Sequence, residues 1–177
     1  MFNPFSKSHS QFIPEWFFGY NADMKYPENG KELYLAYRDE LLAIAGNKHD
    51  PEISSSNYDI FINEPYAESH FKFDGDKCIG FIFLSQIGDM SEPYETRPMP
   101  DWFIQDSYII PQCRRHGVMF EFAKSIIADR PGTWGLCIID KNIPAKNLWQ
   151  KVVSSLGSSL NPVSSGNGET VYSFEIK

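Results

Sequence analysis

Between Pro111 and Met119 the chain reads Pro-Gln-Cys-Arg-Arg-His-Gly-Val-Met, and these residue types in this order suit an anion. A β-prone run precedes them and an amphipathic helical pattern follows, so Gly117 falls in a strand-to-helix turn. Glycine lacks a Cβ, which lets backbone approach a ligand closely. The first amides of a helix have no intrahelical partner, and with the helix dipole they favour negative charge. Successive amides in a tight turn form a nest for phosphate oxygens. Arg114 and Arg115 add positive charge at the same point of an otherwise acidic chain. An ordinary helix start with exposed arginines uses the same residues, so the local pattern leaves both readings open.

Other chemistry is scarcer. The sequence holds no G-x-S-x-G, G-x-x-x-x-G-K-[ST], H-E-x-x-H or G-x-G-x-x-G. Cys78, Cys113 and Cys137 form neither an even disulfide set nor a C-x-x-C metal pattern, so free thiols in a reducing cytoplasm are expected, with no metal site. His9, His49 and His70 lack ligand spacing. Glu64, Glu68 and Glu95 could line a site for a cationic amine or simply be surface charge. The formal net charge of -7 disfavours nucleic acid and favours an amine-bearing partner. No basic leader with an apolar run and no stretch of about 18 apolar residues is present, so neither a secretory signal nor a membrane span is expected.

The elements that must hold the turn follow from periodicity. The 177 residues suit one domain, 1–177, with an irregular aromatic-rich segment over 1–30. Leu33, Leu35, Ala36, Leu41, Leu42 and Ile44 predict a helix over 31–45, ended by Gly46. Residues 47–57 are Ser-rich and predict a loop, and 58–62 fit either a strand or a helical turn. Ser69–Phe73 and Cys78–Leu84 flank Asp74-Gly75-Asp76 as a hairpin. A Pro-rich loop over 85–101 leads to a strand over Trp102–Ile110 that Pro111 stops. Val118, Met119, Phe122, Ala123, Ile126 and Ile127 make the apolar stripe of a helix over Arg115–Asp129. A strand at Trp134–Ile139, a helix at Ile143–Ser155, a Ser/Gly/Asn loop at 157–169 and a strand at Val171–Ile176 complete the chain. This order predicts an α/β (α+β) fold: one mixed, mostly antiparallel central sheet with helices on both faces.

Ile109-Ile110-Pro111-Gln112-Cys113-Arg114-Arg115-His116-Gly117-Val118 resembles the GNAT N-acetyltransferase pattern of a strand ending in an apolar pair and proline, then Arg/Gln-x-x-Gly-x-Gly/Ala. Asn142-Ile143-Pro144-Ala145-Lys146-Asn147-Leu148-Trp149 resembles that family's second motif, one helix and one strand further on, and Gly80-Phe81 also fits. The resemblance covers about residues 67–157. Within the family it is similar to a poorly characterised branch of predicted acetyltransferases, which share the tryptophan and an acidic residue eight positions before the arginine, here Asp106.

The resemblance implies an acyl-CoA-dependent enzyme that passes an acetyl group from acetyl-CoA to an amine of a small molecule, peptide or protein. It implies that backbone at Tyr108, Ile109 and Ile110 pairs with the pantetheine arm. Amides across Arg114, Arg115, His116, Gly117, Val118 and Met119 would hold the pyrophosphate. Asn142 would bond the coenzyme, Ala145 would keep its helix close, and the position of Trp149 would protonate the departing thiolate. Two departures stand out. Met119 replaces Gly or Ala, so its side chain either crowds the diphosphate or points into the core. Trp149 replaces the usual Tyr, and an indole N–H is no useful acid, so either Tyr108 or water takes that role or the thiolate leaves unaided. Asp106 is the expected base, unless strand parity turns it away and presents Gln105 and Ser107 instead. A non-catalytic acyl-CoA sensor on the same fold, or an interaction protein using the aromatic N-terminus, are the alternatives. Dimers are common in the family.

Overall fold

The computed structural model describes residues 26–46, 51–86 and 100–177. Residues 1–25 of the expected N-terminal segment, most of the Pro-rich loop, His9, His49 and Glu95 lie outside them. Helix α1 (Gly30–Ala45) and helix α2 (Pro51–Asn63) precede the hairpin β1 (Ala67–Asp74) and β2 (Lys77–Gln86). Strand β3 (Trp102–Ile109) then leads through a 3-10 turn at Pro111–Cys113 into α3 (Val118–Ile127). Strand β4 (Gly132–Ile139), helix α4 (Ile143–Ser155) and the strands β5 (Asn161–Gly166) and β6 (Glu169–Ile176) follow. The sheet order is β1-β2-β3-β4-β6-β5, with every neighbouring pair antiparallel except β3–β4. Among the described residues no helix is long and apolar enough to cross a membrane.

Three expectations are corrected. Residues 51–63 are helix where a Ser-rich loop and an undecided segment were expected. Pro51 suits a first helical turn, and Ser54 and Tyr58 are buried. Within 157–169, β5 forms a hairpin with β6 through Asn167 and Gly168, both at positive φ (54° and 81°). That pair is the residue signature of a two-residue hairpin turn. The helix expected from Arg115 begins at Val118, because Arg115 (φ 66°) and Gly117 (φ 77°) are left-handed.

Each sheet face carries its own core. On β2, Phe81 and Phe83 join Leu33, Tyr34 and Tyr37 of α1 and Tyr58 of α2, whereas Ile82 and Leu84 join Met119, Ala123 and Ile127 of α3 and Trp149 and Val152 of α4. Alternating side chains of one strand therefore serve opposite layers. Each fully buried ring or aliphatic chain contributes roughly 1.5–3 kcal/mol. The buried stripe of α1 is Leu33, Tyr34 and Tyr37, with Leu41 packed against it; Leu35, Ala36, Leu42 and Ile44 of the expected stripe lie outside it. The stripe of α3 matches expectation, with Met119, Ala123, Ile126 and Ile127 buried.

Candidate coenzyme cleft and its turn

The site begins where two strands part. β3 and β4 pair only at Trp102↔Trp134, Phe103↔Gly135 and Ile104↔Leu136. An aromatic stack closes that end: Trp102 lies over Trp134 at 5.7 Å and Trp134 over Phe174 at 5.8 Å. Beyond it, β3 stays paired with β2 to Ile109 and β4 stays paired with β6 to Ile139, so the two diverge as a wedge. The Ile110 amide donates to the Ile79 carbonyl at 2.9 Å. By the alternation of an antiparallel ladder, Tyr108 also directs its backbone groups to β2, while Ser107 and Ile109 direct theirs into the wedge.

A bulge settles which side chains face which layer. Phe83 pairs with Asp106 and Leu84 with Ile104, so Gln105 is an extra residue. Ile104 faces α3 and α4, and past the bulge Asp106 and Tyr108 face α1. Gln105 is exposed and Ser107 is half-buried.

Asp106 is 8% exposed and sits among rings. One carboxylate oxygen accepts from the Tyr34 hydroxyl at 2.9 Å, and the other accepts from the Tyr37 hydroxyl. Burial raises the Asp106 carboxyl above the ordinary carboxylate range, against the two phenols and Arg38, which favour its charge. Burial and the Asp106 charge push both tyrosines far up. Asp106 thus lies in a closed aromatic layer with each oxygen bonded. Tyr108, 8% exposed, has its hydroxyl raised by burial and the Glu40 charge.

At the mouth of the wedge lies the turn. Gly117 caps α3 in a left-handed conformation, no side chain caps the helix, and the first amide bonded within it is Glu121, to the Gly117 carbonyl. A Cβ on Gly117 would meet nothing within 4 Å, so space over the turn is open. Arg115, His116 and Gly117 are exposed, and Val118 packs in part against the core. Met119 is 8% exposed within the α3 core, so its side chain clears the turn instead of crowding it.

Arg114 differs from expectation. Its guanidinium forks onto Glu40 of α1 at 2.6 and 2.7 Å, its Nε donates to the Ile109 carbonyl at 2.9 Å, and its face lies 5.2 Å from the Tyr108 ring centroid. The positive charge left to the turn is therefore that of Arg115. Neither the Ile109 carbonyl nor the Ile110 amide is unbonded, which leaves the Ile109 amide and Ser107 on the open edge.

In α4, Asn142 is the N-cap, its Oδ1 accepting from the Ala145 amide at 3.2 Å. Ala145 packs against the α3–α4 core, and Trp149, 3% exposed, is part of it. Glu68 binds Arg130 and His70, each at 3.0 Å, away from the wedge. Among the described residues no His, Cys, Asp and Glu group could hold a metal. Two surface concavities flank α4, one of about 420 Å³ lined by Lys146, Thr170 and Tyr172; neither is lined by the wedge or the turn.

Tyr34, Tyr37 and Glu40 were not singled out from the sequence. Leu33, Tyr34, Tyr37 and Leu41 do recur at helical spacing, so tyrosines counted as apolar would have exposed the stripe. Nothing in the sequence links Glu40 to a turn 74 residues away.

The sequence matches no protein-family model and no curated protein. Solved structures do match. An acetyltransferase from Thermus thermophilus aligns with a TM-score of 0.60 at 15% identity, over 84% of this chain and 92% of that one. An N-acetyltransferase from Staphylococcus aureus Mu50 aligns at 0.58 and 13% identity, over 85% and 97%. The aminoglycoside acetyltransferase AAC(6')-Ib, in complex with coenzyme A, aligns at 0.55 and 14% identity, over 83% and 87%. At these identities the likeness is one of fold, and that fold is the one GNAT acetyltransferases share.

Proposed function

We propose that the protein transfers an acetyl group from acetyl-CoA to an amine. The observation that carries this reading is the meeting of the β3–β4 wedge with the uncapped N-terminus of α3 at Gly117. The wedge offers the Ser107 backbone and the Ile109 amide to an extended amide-bearing arm. The turn offers the first amides of α3, the helix dipole and Arg115 to a diphosphate. A ligand that is an amide chain at one end and a diphosphate at the other fits both. The aligned acetyltransferase with bound coenzyme A supports the same choice.

Acetyl-CoA supplies an activated thioester. The amine nitrogen bonds to its carbonyl carbon, the carbon–sulfur bond breaks, the amine sheds a proton and the sulfur takes one up. The chain contributes mainly position. Tyr108 is the candidate to protonate the sulfur; burial and Glu40 raise its hydroxyl, which weakens it as an acid and leaves water as the alternative donor. Asp106 acts on the amine only through Tyr34 or Tyr37, since both its oxygens are bonded to phenols; otherwise water accepts the proton. The net charge of -7 favours a cationic acceptor.

A second reading is a non-catalytic acyl-CoA binder, favoured by the burial of Trp149 where the usual acid would stand. Thiol release from acetyl-CoA across a panel of small amines, polyamines and peptide N-termini separates the two. Release with any amine, slowed in Tyr108→Phe, supports transfer. Binding without release from any of them supports the second reading.

A further inference from the structure

The Arg114–Glu40 pair is costly to explain as a stability device. The two side chains are 35% and 38% exposed, and ion pairs that open to solvent contribute little. Its geometry is nonetheless directional. A forked Arg–carboxylate contact fixes orientation as well as distance. The remaining Nε bond ties the same guanidinium to the Ile109 carbonyl, at the end of β3, and the Tyr108 ring supports its face. Arg114 itself stands between the 3-10 turn and the left-handed Arg115. No side chain caps either the 3-10 turn or α3, so this fork is the polar anchor of the segment, beside the apolar packing of Cys113, Val118 and Met119.

We propose that Glu40 is a positioning residue for the diphosphate turn, acting through Arg114. It rests on the reading that a coenzyme diphosphate binds at Gly117. By fixing Arg114 against α1 and the end of β3, Glu40 sets the direction in which the amides after Gly117 point. The sign of the effect discriminates. If Glu40 only neutralised Arg114, its removal would release a cation beside an anion site and tighten binding. If Glu40 positions the turn, its removal weakens binding although the net charge moves in favour of the anion.

The test is calorimetric titration of coenzyme A into the wild type, Glu40→Gln, Arg114→Gln, Arg114→Lys and the double variant Glu40→Gln/Arg114→Gln. Each single variant is expected to raise Kd roughly tenfold, since small misplacements of binding groups carry losses of this order or more. Arg114→Lys is expected to lose as much as Arg114→Gln, because an ammonium keeps the charge but not the fork. The double variant is expected to be no worse than the poorer single one, as for two residues in one linkage. Unliganded Tm should move by less than about 4 °C in Glu40→Gln, which separates misplacement from unfolding. Unchanged or tighter binding by Glu40→Gln overturns the proposal, as does rescue by Arg114→Lys or a double variant that loses the product of both effects. If the wild type binds no coenzyme A, the coenzyme reading itself falls and takes this one with it; wild-type binding with an unaffected Glu40→Gln removes only this one.

Discussion

Tyr37→Phe isolates the bond between a buried carboxylate and a phenol. Tyr37 is 9% exposed and Asp106 8%, so water does not readily replace the lost hydroxyl. The ring still packs against Phe81 and Tyr108, each at 5.5 Å, so the change removes the donor and little else. A hydrogen bond to a charged group contributes about 1.5–3 kcal/mol, against about 0.5–1.5 kcal/mol between neutral groups. Phenol donors favour ionised Asp106, and burial opposes it. Removing Tyr37 therefore raises the carboxyl further. A carboxyl held high in the folded state contributes stability at low pH that is lost as pH rises through the folded value. The loss caused by Tyr37→Phe is thus smallest where the carboxyl is protonated in both proteins, about 1 kcal/mol, and grows to about 2 kcal/mol or more where it is ionised in both. In a chain of this size the larger figure lowers Tm by roughly 4–8 °C. Denaturant unfolding of the wild type and Tyr37→Phe, from the ordinary carboxylate range upward until the difference levels off, reads the change. Asp106→Asn, which cannot ionise, should abolish its pH dependence. A loss that is equal at both ends of the range would refute the bonded carboxylate and leave Tyr37 as packing alone.

Gly80→Ala should distort the wedge from behind, because a Cβ there meets the Tyr108 carbonyl and Ile109 Cδ1, both at 2.5 Å. The expected loss is about 1–3 kcal/mol in thermal unfolding, accompanied by weaker acetyl-CoA binding as β3 is pushed aside. Trp149→Tyr should not raise turnover, although it restores the residue type of the resembled motif. The side chain is locked in the α3–α4 core, and the smaller ring with a buried hydroxyl should lower stability by about 2 kcal/mol in the same measurement.

Much of the site was legible because its residues are consecutive. The turn from Pro111 to Met119 is a local device, readable from glycine, proline and the stripe of α3, whereas Asn142, expected on the coenzyme, caps α4. What escaped was of two kinds. Some signals were present but misweighed. Asn167-Gly168 is a hairpin pair that was absorbed into a polar loop, and Tyr34 and Tyr37 bury their rings as leucines do while giving their hydroxyls to Asp106. Others have no local signature. The bulge at Gln105 exchanges the faces of β3, so parity from Ile104 misplaces Asp106 and Tyr108. The Arg114–Glu40 fork joins α1 to the turn across a separation that only the folded chain closes.

The central claim is that a coenzyme diphosphate seats on the turn at Gly117. Thermal unfolding of the wild type and Gly117→Glu, each with and without acetyl-CoA, tests it most directly. Gly117→Glu places an acidic side chain at a left-handed position over the open turn, where it opposes an anion. Acetyl-CoA at about 100 times its Kd should stabilise the wild type by roughly 2.7 kcal/mol. The account predicts a clear rise in wild-type Tm and none in Gly117→Glu. No rise in either protein, or an equal rise in both, would contradict it.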